Sequence, residues 1–387
     1  MRSTKIFWLK IVLCLAFFFG FFLSPHLWTS ARFYPMTPII SFLPTIPSPI
    51  DRLIFSFVFI LLIFILFIPK PTLFCVTFVL LAGILSLFDQ SRWQPWFYQY
   101  LFMMIALCFY PWRGEDRKKE DAILAICRVI IVSVYFWSGI QKVNPVFFES
   151  VFPNFINPLT RLFPIIGNTP AMAIPFLEIG IAFGLVIEKF RRAAVIFASI
   201  MHGVILFLLG PFGNNSNNVV WPWNISMIFF VFILFWQTKS PFRVFQIRGM
   251  LPFSYTIILL FCILPLFSLF NLWDSYLSAS LYSGNYHWAY IYVTDGVKKQ
   301  LPKDVRINFA EAKEDKNRAS IHSWSFRELN VPAYPEIRVY KNITRYICGF
   351  AENPTDVVLV INKRRALNDL LNWQGKVQKI RYNCSAI

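Results

Sequence analysis

Charge is what this sequence has least of. Asp, Glu, Lys and Arg make up 15% of its 387 residues, against about a quarter in typical soluble domains. That scarcity excludes an ordinary water-soluble globule. Short functional signatures are missing as well. The seven cysteines form no CxxC pair and no zinc-type spacing, so no metal ligand set is expected. Phosphate-loop, dinucleotide and Ser-His-Asp patterns are absent. No internal repeat and no matched pair of broken helices stands out, which removes the usual mark of an inverted-repeat transporter. The excess of 37 Lys+Arg over 20 Asp+Glu, net +17, does not form one soluble basic face. The basic residues fall in short clusters between apolar blocks, as topology signals do, and nucleic acid is not an expected partner.

What is present is apolar and aromatic: 57% hydrophobic residues, 44 of them Phe, and a mean hydropathy of +0.54. Runs of about 20 apolar residues suffice to cross the hydrocarbon of a bilayer. Nine such runs are read at 5–24, 51–68, 71–88, 94–112, 122–142, 170–188, 193–210, 222–237 and 251–273. The first follows Lys5 and lacks a small-x-small cleavage site, so it reads as an uncleaved span. With the N-terminus in the cytoplasm, Arg2 and Lys5, Lys70, Arg113 to Lys119, Lys189 to Arg192, and Lys239 to Arg248 all fall inside. That asymmetry obeys the positive-inside rule and sends the C-terminal region outside. The expected class is an α-helical polytopic membrane protein, with a transmembrane domain over 1–275 and a small extracytoplasmic α+β domain over 278–387. Its expected location is the plasma or inner membrane, or the membrane of the endoplasmic reticulum in a eukaryote.

In the C-terminal region HWAYIYVTD, PEIRVYKNITRYI and DVVLVINKR read as strands, while SWSFREL and RRALNDLLNW read as short helices. Cys348 and Cys384 lie here and could pair if the region is outside the cytoplasm. The apolar loop 143–169 is expected to dip back into the interface, where it could roof a cavity. Asn214, Asn224, Asn342 and Asn383 begin N-x-S/T sequons.

Charged groups at bilayer depth are costly, so each is a candidate site. Four stand out: Arg128, Lys142, Glu178 and His202. Glu178 lies about eight residues, roughly 12 Å, below the outer end of its span. His202 lies at similar depth on the next, antiparallel span, and Lys142 closes the preceding one. The three are expected to form a polar cluster in the outer leaflet. Plain structural readings stand beside this. Lys142 could snorkel to the interface, Glu178 and His202 could pair to fix helix packing, and Arg128 is expected to reach headgroups. Gly139, Gly180 and Gly184 could permit close helix approach. On the functional reading, an amine buried in apolar surroundings binds its proton less well and can serve as a general base.

Three motifs carry a family resemblance. Tyr135-Phe136-x-x-Gly139-x-x-Lys142 is similar to the Y-F-x-x-G-x-x-K segment of the vitamin K-dependent carboxylase-like proteins, whose shared module is called HTTM. Glu178 through Arg191-Arg192 resembles the family's acidic residue, small-x-x-Leu run and basic end. His202 followed by Leu-Gly-Pro-Phe at 209–212 resembles its His…Ile-Gly-x-Phe run. The resemblance covers about 86–235 and extends to smaller relatives of the DoxX type. A fainter likeness at FDQSRWQPWFYQYL departs from the family at Gln94-Pro95, and FYPWRGEDR has no counterpart to its second histidine.

The resemblance implies Lys142 as the base, with Glu178 and His202 beside it, and a quinone, vitamin K-like, as cofactor. Tyr135, Ser138, Gly139, Trp93, Trp221, Trp223 and Asn224 are expected to line the substrate or quinone cavity. The expected function is a quinol-linked membrane oxidoreductase or carboxylase-like lyase. The alternative is a non-catalytic assembly or export component that binds a protein partner through 278–387, where Trp324, Tyr334 and Tyr340 stand among many Arg and Lys.

Overall fold

A computed structural model describes residues 4–40, 42–44, 46–112, 116–163, 173–239, 242, 245, 247–312, 316–366 and 378–387. Ten helices of the apolar part are α1 (Thr4–Leu23), α2 (Ile50–Phe67), α3 (Thr72–Leu87), α4 (Pro95–Cys108), α5 (Arg117–Gln141), α6 (Phe152–Leu162), α7 (Ala173–Val186), α8 (Arg191–Leu209), α9 (Val220–Phe235) and α10 (Arg248–Ser268). Five of these, α1, α2, α5, α8 and α10, are long and apolar enough to cross a membrane. At 71–88, 94–112, 170–188 and 222–237 the structure has the shorter apolar helices α3, α4, α7 and α9. Among the described residues, the expectation of nine spans is thus supported by length for five. Residues 170–172 of the sixth expected span lie outside the described residues.

The chain divides into two compact units. The first comprises 1–23, 54–83 and 94–285. Its interior is aromatic. Phe17 meets Phe78 and Tyr100 edge-on at centroid separations of 4.9 and 5.4 Å, and Phe21 meets Trp96 at 6.2 Å. Such edge-to-face pairs add to the area they bury. Gly20 makes this possible, because a Cβ there would lie 2.8 Å from Trp96 Cζ3. Helix α5 packs on α7, and α8 packs on both α7 and α9.

Arg128 corrects the sequence reading. It is buried on α5 and donates from Nε to Leu234 O at 2.8 Å, rather than reaching headgroups. The carbonyls in the last turn of a helix have no intrahelical partner, and a cation there also meets the negative end of the helix dipole. Arg191 serves α7 in the same way, donating to Leu185 O and Val186 O at 2.8 Å.

The second unit comprises 24–53, 84–93 and 286–387. Its five-stranded antiparallel sheet has the order β2-β3-β1-β4-β5, with β1 Trp288–Thr294, β2 Ala310–Glu311, β3 Lys316–Ser320, β4 Val357–Asn362 and β5 Lys379–Asn383. Alternation explains β1: Ala289, Ile291 and Val293 are buried, and the residues between them face outward. Helices α11 (Ile321–Leu329) and α12 (Ile337–Cys348) pack on the sheet. SWSFREL falls in α11 as expected, while RRALNDLLNW lies largely outside the described residues.

PEIRVYKNITRYI is a helix and not the strand expected of it. Its buried residues, Val339, Tyr340, Ile343, Thr344 and Ile347, recur at three and four, which is a helical stripe. Its β-branched content misled the reading. A disulfide joins Cys348 to Cys384 and ties the end of α12 to the chain beyond β5.

Asp89 holds together the two segments that precede the sheet in sequence. It pairs with Arg32, accepts from Thr37 Oγ1 and Ser91 N at 3.0 Å, and stands near Arg92. Burial opposes its ionisation, but Arg32 and Arg92 outweigh that and hold its carboxyl below the usual range. Glu328 from α11 accepts from Phe33 N, Tyr34 N and Trp324 Nε1, which binds the first of these segments to α11.

Candidate functional site

Helix α5 ends at Gln141, with Lys142 as the residue that caps it. Asn144 sets this stop. Its amide nitrogen donates to Gln141 O at 2.8 Å, and its Oδ1 accepts from Phe147 N at 3.0 Å, so it closes one helix and starts the next. Side chains on a helix lean toward its N-terminus, and the Lys142 stem folds back in that sense. Its Nζ donates to Ser138 Oγ at 2.5 Å and, across to α7, to Glu178 Oε2 and Oε1 at 2.8 and 3.0 Å.

Both charged residues are buried. An ion pair removed from water survives only when its donors are satisfied, as they are here. An ammonium has three donors and no lone pair, and in this arrangement all three are engaged. Gly139 lets the two helices approach this closely. A Cβ there would stand 2.7 Å from both Pro175 O and Ile179 Cγ1, the residues that flank Glu178. Gly139 therefore supports the site from behind and does not line the cavity.

His202 joins a separate chain of hydrogen bonds. Tyr135 Oη lies 2.7 Å from its Nε2, and Asn224 Oδ1 lies 2.8 Å from its Nδ1. The Asn224 amide is itself anchored, since its Nδ2 donates to Val220 O at 2.8 Å. No hydrogen bond joins Glu178 to His202. Lys142–Glu178 and Tyr135–His202–Asn224 are two polar groupings on the wall of one cavity.

That cavity measures about 360 Å³ and is otherwise apolar. Phe147, Phe152, Phe155 and Ile156 of the 147–162 stretch line it, so part of the apolar loop after α5 does cover a cavity. Leu177, Phe197, Ile200 and Val204 also line it and are exposed on the surface of the molecule. Along α7 and α8 the cavity therefore reaches the apolar exterior. Of the polar and aromatic residues expected from sequence, Tyr135, Ser138, Lys142, Glu178, His202, Trp223 and Asn224 line it.

Trp221 is elsewhere, with its indole donating to Ser216 O at 3.2 Å. Trp93 belongs to the second unit, where it donates to Ser86 O at 3.0 Å. The sequence reading missed the strap formed by Ala279, Leu281 and Tyr282. Tyr282 has a left-handed backbone, φ 59°, and its hydroxyl accepts from Asn217 Nδ2 at 2.5 Å. Ser283 O accepts from Asn144 Nδ2 at 2.8 Å, and Asn285 Nδ2 donates to Gln141 Oε1 at 3.1 Å, which moors the strap to the end of α5. Its only sequence signal is the Ser-Gly-Asn turn at 283–285, where Gly284 takes φ 72°.

The apolar helices, the buried ion pair and the exposed apolar flank of the cavity define a polytopic helical membrane protein. A family model described as methylamine utilisation protein MauE matches residues 120–219. The matched stretch runs from the first turn of α5 to the residue before α9, and it contains Tyr135, Lys142, Glu178 and His202 but not Asn224. The match is to this membrane-protein family and not to the carboxylase-like proteins that the motifs resemble. No curated protein and no solved structure matches the chain.

Proposed function

We propose that the chain binds a lipid-soluble, uncharged molecule with a small polar head, of the quinone type, and handles protons at that head. The carrying observation is the cavity itself, apolar over most of its wall, with Lys142–Glu178 and Tyr135–His202–Asn224 at its polar end. The ion pair carries no net charge, so a neutral head suits the site better than one that arrives as an ion and brings a charge without its counter-charge. On this reading Lys142 becomes a base once its proton passes along the 2.8 Å hydrogen bond to Glu178. That shift gives a neutral amine and a carboxylic acid and leaves the net charge unchanged. The motif at 135–142 supports the role by its likeness to the carboxylase-like base segment. The basic clusters, together with a disulfide of the kind that persists in oxidising compartments, support placing 286–387 outside the cytoplasm.

Purified protein extracted with organic solvent should release a quinol, its quinone or a related neutral lipid, and reconstituted protein given an added electron acceptor should oxidise the matching quinol. Lys142→Ala should lose that turnover per folded molecule; equal turnover in the two folded proteins would remove Lys142 from any catalytic role. A second reading, a non-catalytic assembly or export component, is favoured by the independent sheet unit with its disulfide. Under it, Lys142→Ala would be silent and substitutions on the surface of 286–387 would abolish function.

A further inference from the structure

We propose that Asn224 is a positioning residue that fixes His202 as the Nδ1–H tautomer, so that Tyr135 and His202 form a one-way proton-accepting arm of the cavity. The inference rests on the reading above that an uncharged apolar molecule occupies the cavity, and it adds which hydrogen-bonding character the head of that molecule must have.

The direction follows from one anchored group. Asn224 Nδ2 donates to the backbone oxygen of Val220 at 2.8 Å, so the other end of the amide, Oδ1, faces His202. An amide oxygen can only accept. The 2.8 Å contact therefore requires a proton on His202 Nδ1. A neutral imidazole with its proton on Nδ1 has a lone pair on Nε2. Tyr135 Oη, 2.7 Å away, must then donate its only proton to Nε2. The phenol oxygen is left with lone pairs alone. Tyr135 and His202 both line the cavity, which makes this oxygen an acceptor for a bound molecule.

The preferred ligand is thus one that donates, an apolar alcohol or phenol in preference to its ether or ketone, which for the quinone type means the reduced quinol. When such a molecule is bound, its O–H proton can pass to Tyr135 Oη as the Tyr135 proton passes to His202 Nε2. The products are the ligand oxyanion and an imidazolium still held at Nδ1 by Asn224. Only O–H and N–H bonds change, so no further reactant is needed. Lys142 and Glu178 stand outside this arm.

The orientation can be read without any ligand. Full-length protein labelled with 15N-histidine holds four histidines, and His202→Gln identifies the His202 signals by their loss. Wild type should show His202 with a protonated Nδ1 and a bare Nε2. Asn224→Asp retains an acceptor and should preserve the proton on Nδ1. Asn224→Leu removes the acceptor and should move the population toward Nε2–H by about tenfold. A wild-type Nε2–H form, or an unchanged Nδ1–H form in Asn224→Leu, overturns the proposal. If Asn224→Leu does not fold, the wild-type and Asn224→Asp spectra decide alone, an Nδ1 without its proton in either overturning it.

Binding separates the ligand claim from the reading beneath it. A long-chain alkylphenol should bind wild type about tenfold more tightly than its methyl ether, and Tyr135→Phe should erase the difference. Equal binding of phenol and ether overturns the donor preference. Failure of both to bind overturns the apolar-ligand reading itself, while the tautomer result still stands or falls on its own spectra.

Discussion

Glu178 shows how much one atom pair can decide. Its carboxylate takes two of the three Lys142 donors, and both side chains are buried. Removing one partner of such a pair strands the other charge, at a cost of about 3–5 kcal/mol. Glu178→Gln should therefore lower the unfolding free energy in mixed micelles by roughly that amount. The double variant Lys142→Met with Glu178→Leu should recover most of it, because apolar side chains of similar size often replace a buried ion pair without loss. A Glu178→Gln protein as stable as wild type would show that the pair is solvated.

Asp89 gives a pH dependence at the same scale. Its folded carboxyl titrates below the usual range, whereas in the unfolded chain it titrates near 3.9. The folded state thus binds fewer protons at acid pH, and the stabilisation is complete above about pH 4. It is lost as the pH falls through that value toward the lower folded one. Acid titration followed by tryptophan fluorescence should show the second unit loosening below about pH 4, and Asp89→Asn should remove that part of the transition.

Elements were legible in proportion to how local their signal was. The apolar runs, the C-terminal end of α5 and the alternation in β1 and β4 are written in neighbouring residues. A buried lysine, glutamate and histidine at bilayer depth are also plain in a single chain, because nothing else places them in apolar runs. The pairing was less so. Which carboxylate meets which cation depends on the α5–α7 approach, and that depends on Gly139 facing Pro175 O, a contact 36 residues distant. Likewise α12 was hidden because its β-branched residues argue for strand, while its three-and-four spacing of buried positions argues for helix, and packing on the sheet chose the second. The strap at 279–285 carried almost no signal, since its left-handed residues Ala279 and Tyr282 are of types that seldom adopt that conformation. Gly139→Ala tests the element-level account. The added methyl meets a backbone oxygen, so α5 and α7 must part, at about 1–3 kcal/mol. The variant should melt earlier than wild type, and its Lys142 should become reactive to amine reagents that leave wild-type Lys142 untouched.

For the whole molecule, the sheet unit and the membrane helices make separable predictions. The Cys348–Cys384 bond spans 36 residues, and a closed loop of that order stabilises by about 3–4 kcal/mol in the chain-entropy account. Reduction, or paired replacement by serine, should lower the melting temperature of the sheet unit and leave the helical signal of the apolar helices in place. Orientation is checked with exposed positions: Lys303→Cys should react with a membrane-impermeant maleimide added to intact cells, and Lys118→Cys only after permeabilisation. The opposite pattern would invert the proposed topology.

The exposed flank formed by Leu177, Phe197, Ile200 and Val204 bears on how any occupant arrives. A molecule that enters there never crosses bulk water on its way in; it diffuses in two dimensions, dissolved in acyl chains. Occupancy is then set by its mole fraction in the bilayer, and diluting the vesicles at fixed lipid composition should leave saturation unchanged. Widening that flank with Phe197→Ala should speed exchange in both directions while leaving the equilibrium nearly where it was.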